Sequence, residues 1–213
     1  MTNQINREKR IIVLIPIAGI IIFVLLYFIA TILYPGGSQI DKDSIGFSWS
    51  NNYWCNLLNE YAINGQLNPA RPVAMAGMFV LCITLMFFWF LFPRQMNVGK
   101  KLKLLIQVSG AMTMTIAFFL FSGINHDLVT NLASFFGLIA TVGTFIGLYK
   151  VRWFGLFIFG LVNILLVGLN NYVYYTKGLI VYLPMIQKIS FAAFLLWFFG
   201  ICIQLYTPEE ELE

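Results

Sequence analysis

The chain has 213 residues, of which 60% are hydrophobic and only 10% charged, with a mean hydropathy of +0.82. A soluble domain carries about 25% charged residues, so this much apolar surface excludes water as the main solvent and points to a lipid bilayer. The formal net charge of +4 is not a nucleic-acid footprint, because the basic residues stand beside apolar runs rather than on a polar face.

Residues 11–34 make the first apolar run, long enough to cross a hydrocarbon core of roughly 30 Å as a helix. Arg7, Lys9 and Arg10 precede it, but the run is too long for a signal-peptide core and lacks a small-residue cleavage site, so it reads as a retained span. Pro16 falls near its start, where a missing amide is cheap, and Pro35-Gly-Gly-Ser38 ends it. A polar loop, 35–70, follows. Asn68-Pro69 and Arg71-Pro72 lead into a second span, 72–92, closed by Pro93.

A short basic loop, 94–103, precedes the third span, 104–123. The turn Ile124-Asn-His-Asp-Leu128 opens the fourth span, 129–149, and a second basic turn with Lys150 and Arg152 opens the fifth, 153–174. A small loop with Thr176, Lys177 and Gly178 leads to the sixth span, 184–206, before Pro208 and the acidic tail 209–213. The expected fold is all-α: one membrane domain, 1–213, an integral bundle of six transmembrane helices with a long outer loop between spans 1 and 2.

Six spans place both termini on one side. Arg7, Lys9, Arg10, Arg94, Lys100, Lys101, Lys103, Lys150 and Arg152 lie on that side, against Lys42, Arg71, Lys177 and Lys188 on or near the other. The positive-inside rule then makes the termini cytoplasmic and puts loop 35–70 outside the cell membrane. All the conspicuous polar clusters fall at that outer end, whereas the inner loops are short and merely basic.

Loop residues Trp49, Asn51, Asn52, Tyr53, Trp54, Asn56, Asn59, Glu60 and Asn64 form the first cluster. Trp and Tyr prefer the headgroup level, and apolar positions Trp54, Leu57, Leu58, Tyr61 and Ala62 recur at helical spacing, which predicts a short amphipathic helix over 54–63, capped by Ser50 or Asn51. The functional alternative is a lid whose amides bind a sugar, a headgroup or a peptide. Trp49, Asn52, Trp54, Asn56 and Glu60 are the candidate contacts, and Arg71 and Lys188 suit a phosphate or carboxylate.

In the second cluster, Asn125-His126-Asp127, the only histidine stands next to a carboxylate. His126 and Asp127 form a candidate acid–base pair, while Asp127 equally suits the first turn of span 4, where the helix dipole favours a negative charge. The third cluster lies at membrane depth: Gln107, Ser109, Thr113, Thr115, Asn163, Asn170, Asn171, Gln187 and Lys188. Such groups usually face the bundle interior and pair with one another. Lys188, a turn inside span 6, either snorkels outward or pairs with Asp127 or Glu60, and with Asn125 and Asn170 it completes the candidate wall of an outward cavity. Gly143 and Gly147 form a small-xxx-small pattern that signals close helix packing. Cys82 and Cys202 lie in apolar runs, Cys55 stands alone in the loop, and no metal-type cysteine spacing exists, so neither a metal nor a cofactor is expected.

The six-span plan, the long first outer loop and the stretches Tyr34-Pro-Gly-Gly-Ser38, 47–56 and Asn68-Pro-Ala-Arg-Pro72 together resemble the damage-regulated autophagy modulator-like six-span proteins and their uncharacterised bacterial relatives. That resemblance implies an integral membrane protein tied to lipid handling. The Trp-Cys-Asn at 54–56 is also similar to a stretch in alkaline ceramidases, a metal-dependent family that uses several histidines; a single histidine sets this chain apart from such a zinc hydrolase. The leading expectation is a non-enzymatic protein that binds or translocates a lipid or other amphiphile through the outward polar cavity. The alternatives are a lipid-acting enzyme using His126 and Asp127, and a structural or regulatory subunit. Membrane lipid is the expected partner, with an amphiphilic ligand, a second copy or a partner membrane protein as further candidates and nucleic acid excluded.

Overall fold

A computed structural model describes residues 11–96, 98–119 and 125–207, without the side chain of His126. The basic residues Arg7, Lys9 and Arg10, the end of the expected third span and the acidic tail lie outside the described residues. The described residues fold as six helices: α1 (Leu14–Leu33), α2 (Ala70–Gln95), α3 (Lys100–Phe118), α4 (His126–Lys150), α5 (Phe154–Tyr175) and α6 (Leu183–Tyr206). Two single 3-10 turns, Trp54–Leu58 and Ile180–Tyr182, complete the regular structure among the described residues.

Among the described residues five helices are long and apolar enough to cross a membrane: α1, α2, α4, α5 and α6 with its preceding turn. The exception is α3. It begins a turn earlier than the apolar run because Lys100, Lys101 and Lys103 join its first turn, which lowers its apolarity. Helix α2 differs too. Pro93 does not close it, since the helix runs on to Gln95. The ring at 93 removes the amide that would donate to the carbonyl of Trp89, and only Arg94 and Gln95 follow before the helix ends.

Residue contacts divide the chain into two compact units. Unit 1 comprises Met1–Ile21, Phe79–Ile158 and Trp197–Glu213; unit 2 comprises Ile22–Met78 and Phe159–Leu196. Helices α1, α2, α5 and α6 contribute residues to both.

Unit 1 is a close-packed helix cluster. Its core is aromatic, with Phe88, Trp89, Phe92, Trp197 and Phe198 all buried and the Phe88 and Phe198 rings edge-on at 4.5 Å. Small residues let the backbones approach. A Cβ on Gly110 would lie 2.5 Å from the Trp89 side chain, one on Gly147 would lie 3.0 Å from the Phe92 ring, and Gly143 lies hard against Ile106. This is the packing that the Gly143/Gly147 pattern predicts, and α3 lies against α4 along it. Helices in lipid gain little from hiding hydrocarbon, so such van der Waals contact is their main adhesive.

Helix α4 ends in a Schellman-type turn. Arg152 N–H donates to Tyr149 O at 3.1 Å and Trp153 N–H to Leu148 O at 3.0 Å, with Arg152 in the left-handed region at φ 61°. Glycine usually fills that position, and a side chain there costs about 1 kcal/mol.

Polar side chains at membrane depth mostly turn back on their own helix rather than pairing across the bundle. Ser109, Thr113, Thr144 and Asn163 each donate to the carbonyl four residues earlier. Links between helices also form, from Gln107 to Phe90 O at 2.9 Å, from Trp197 Nε1 to Leu156 O at 2.7 Å, and from Asn170 to Ser190.

Candidate functional site

The 34–69 loop of unit 2 is a folded object. Gly36 and Gly37 open it with φ of 147° and 82°, a conformation that side chains rarely adopt. They start a tight return in which Gly37 N–H donates to Ser44 O and Ser38 N–H to Asp41 O, both at 2.7 Å. Buried asparagines then staple the rest. Asn52, 0% exposed, donates from Nδ2 to Gly37 O at 2.8 Å and accepts from Ser48 N–H at 2.8 Å. Asn56 accepts from Tyr53 N–H at 2.7 Å.

Asn68 does the most. Its Nδ2 reaches the carbonyls of Asn56, Leu57 and Asn59 at 2.9–3.2 Å, while its Oδ1 accepts from Ala70 N–H at 3.1 Å and so starts α2. These carbonyls are the acceptors a continuing helix would need. The amphipathic helix expected over 54–63 therefore stops after one 3-10 turn, which Tyr53 rather than Ser50 or Asn51 precedes. Tyr34, buried, accepts from Ile63 N–H at 3.0 Å through its hydroxyl. Burial pushes the Tyr34 phenol up from its ordinary value, against the opposing pull of that bond.

An aromatic cluster lines the inner side of this loop. Phe47 stacks on Trp54 at 6.1 Å and meets Tyr34 and Trp49 edge-on at 5.7 Å, and Trp54 meets Tyr27 at 5.2 Å. Pairs of this kind each contribute about 0.5–1.5 kcal/mol beyond the area they bury. Lys188 extends into the cluster from α6. Its ammonium lies 5.5 Å from the Phe47 ring centre and 5.9 Å from that of Trp54, and it donates to the main-chain carbonyls of Asn52 and Pro184. The preceding residue adds a second tie, since Gln187 Oε1 accepts from Trp54 N–H at 3.3 Å.

The expected partner of Lys188 is not Glu60. That carboxylate pairs with Arg71 at 3.8 Å, across side chains 60% and 37% exposed respectively. Such an exposed pair is worth at most about 1 kcal/mol. Among the described residues no carboxylate lies within 4 Å of Lys188. Among the described residues the Trp54 indole N–H, buried in the same cluster, and Arg71 Nε have no hydrogen-bond partner. Burial pushes the Cys55 thiol up, with the nearby Lys188 charge among the smaller opposing influences. Tyr53 is pushed up by burial first, then by Cys55 and Tyr174.

Asn52 and Asn56 spend their side chains on the loop itself, so what they offer a ligand is main chain. Trp49 is half-exposed. Asn170, in unit 2, is tied to Leu166 O and Ser190. Asn125 and Asp127 belong to unit 1, where Asn125 Oδ1 caps α4 by accepting from Asp127 and Leu128 N–H at 3.0 and 3.1 Å, and Asp127 stands in the first turn. The His126 side chain lies outside the described residues.

Unit 1 holds an apolar cavity of about 210 Å³ between α2 and α3, lined by Phe79, Cys82, Ile83, Met86, Met114, Thr115, Phe118 and Phe119. Its walls are hydrocarbon and thioether with one thiol and one hydroxyl, suited to an alkyl chain rather than a polar solute.

Asn68, Tyr34 and the glycine pair are the structural residues that a reading of the sequence passes over. Asn-Pro before a span reads as a boundary, and nothing local signals that its amide reaches back 9–12 residues. The fold and the five apolar helices define a helical membrane protein. No protein-family model, no curated protein and no solved structure matches the chain.

Proposed function

We propose that this is a six-span protein of the cell membrane, termini cytoplasmic, whose folded outer loop and Lys188 form a binding site for an anionic amphiphile. Helix α3 supplies the sixth span: at 19 residues it is roughly 28 Å long. The observation that carries the functional reading is Lys188, a half-buried cation on a membrane helix with main-chain carbonyls and aromatic faces around it and, among the described residues, no carboxylate within 4 Å.

Taking a charge out of water costs several kcal/mol, and dipoles and ring faces recover only part of that. Ionisable groups at membrane depth are rare for this reason, and where they occur they mark ligand or ion paths. A phosphate or carboxylate headgroup supplies the missing charge and gives the Trp54 indole N–H an acceptor. The aromatic rings take the adjoining methylenes. The layout-level resemblance to damage-regulated autophagy modulator-like proteins, with its implied tie to lipid handling, is consistent with this reading.

The test is a titration of the purified protein in neutral detergent with dodecyl phosphate and with oleate, followed by tryptophan emission. Both anions are expected to bind saturably and a neutral alcohol of equal chain length not to. Lys188→Met is expected to weaken binding at least about tenfold while Lys188→Arg keeps most of it. Equal binding by folded Lys188→Met sinks the proposal and leaves Lys188 as a staple for the loop.

A further inference from the structure

A second charged region lies wholly within unit 1 and has no role in the site above. Arg94 ends α2, Lys100, Lys101 and Lys103 begin α3, and Lys150 and Arg152 end α4. The packing brings these ends together. Gly147, in the last turn of α4, lies against Phe92 and Met96 at the end of α2, and Gln107 of α3 bonds to Phe90 O of α2 at 2.9 Å. All six basic side chains therefore crowd one end of three adjacent helices, and all except half-buried Lys103 are exposed. The three helices carry one acid between them, Asp127, at the opposite end of α4.

Two features go beyond what orienting a chain in a membrane requires. Three lysines stand in the first turn of α3, where the helix dipole is itself positive, with Gly99 as a cap that has no side chain and no acid in that turn. Arg152 occupies the left-handed position at the end of α4, where glycine is free of strain. A residue held at a local cost is a pointer to use. Each arrangement is unfavourable alone; anions at the end of the bundle relieve the first and offset the second through the Arg152 side chain.

We infer that this end of unit 1 is a binding surface for the headgroups of anionic membrane lipids, with Arg152 a specific contact. Charge complementarity names the occupant: a protein whose helices stand in a bilayer has such headgroups at its helix ends. Each cation removed is expected to weaken binding about fivefold.

The experiment measures the melting temperature of the whole protein in neutral detergent with added phosphatidylglycerol or phosphatidylcholine. Phosphatidylglycerol is expected to raise it more. Arg152→Gly is expected to raise the melting temperature in phosphatidylcholine, by releasing strain, and to shrink the extra gain from phosphatidylglycerol. Arg152→Lys keeps that gain. All of these variants are made in a Lys188→Met background, so that the loop site takes no part. There a Lys100→Gln, Lys101→Gln, Lys103→Gln variant loses most of the extra gain, and loss of the whole gain with Lys188→Met alone overturns the inference by assigning it to the loop site. The inference is overturned if the two lipids act alike, if the extra gain survives in Arg152→Gly, or if inorganic phosphate without lipid reproduces it, which would mark a soluble-anion site.

Discussion

Units 1 and 2 solve the same problem, holding helices together in lipid, by opposite means. Unit 1 does it by shape: glycines on α3 and α4 admit Trp89, Ile106 and Phe92, and aromatic rings fill the remainder. Its polar side chains mostly bond to the carbonyl a turn back on their own helix. Unit 2 does it by polar stapling. Asn52, Asn56, Asn68 and Tyr34 tie 34–69 into a knot, and Gln187 and Lys188 tie that knot to α6. The difference shows where specificity can reside. A shape-packed interior of hydrocarbon offers a ligand little but an apolar slot, whereas a polar knot leaves over the few groups its own bonds do not use, here the Lys188 charge and the Trp54 indole N–H.

The contrast yields a graded set of outcomes. The largest effect is expected from Gly110→Val, which drives branched methyls into the Trp89 side chain and costs about 3 kcal/mol. Unfolding in mixed micelles checks it, and the loss should appear in unit 1 without loosening the loop. Asn68→Ala follows, at roughly 2–3 kcal/mol, since it strands buried carbonyls and the first amide of α2. Here limited proteolysis should cut within 54–68 while unit 1 stays intact. If Gly110→Val exposed the loop as readily as Asn68→Ala, the two means of assembly would not be separate.

The smallest effect is alkaline. The Cys55 thiol and the Tyr34 and Tyr53 phenols are neutral when protonated, and all three are held above their ordinary values of 9.0, 10.0 and 10.0. The folded state thus keeps these protons more tightly than the unfolded chain does. Stability from this source is complete below about pH 9 and declines as pH rises through that range. A melting series from pH 7 to 10.5 should show the decline, and Cys55→Ser should delay its onset.

Much of the fold is legible in the chain because lipid imposes a simple rule: a run of about 20 apolar residues must be a helix, since no other conformation satisfies its amides. The helices accordingly follow the hydropathy closely, and at its start α3 departs where three lysines extend it past the apolar run. The knot is not legible by the same logic. Its apolar spacing over 54–63 reads as a helix, but three carbonyls of that stretch are taken by Asn68, a long-range choice that periodicity does not record. Lys188 is visible in the sequence as a charge at membrane depth. Its company of carbonyls and rings rather than a carboxylate emerges only when the loop is folded.

The most direct measurement of the contrast is amide hydrogen exchange in neutral micelles, read by mass spectrometry over residues 34–69. The stapled amides of Gly37, Ser48, Asn52, Ile63 and Asn68 are expected to exchange at least about 100-fold more slowly than in a free peptide, with Lys188→Met releasing those near 47–56 first. Exchange across the whole segment at free-peptide rates would contradict the folded loop, and with it the site that Lys188 completes.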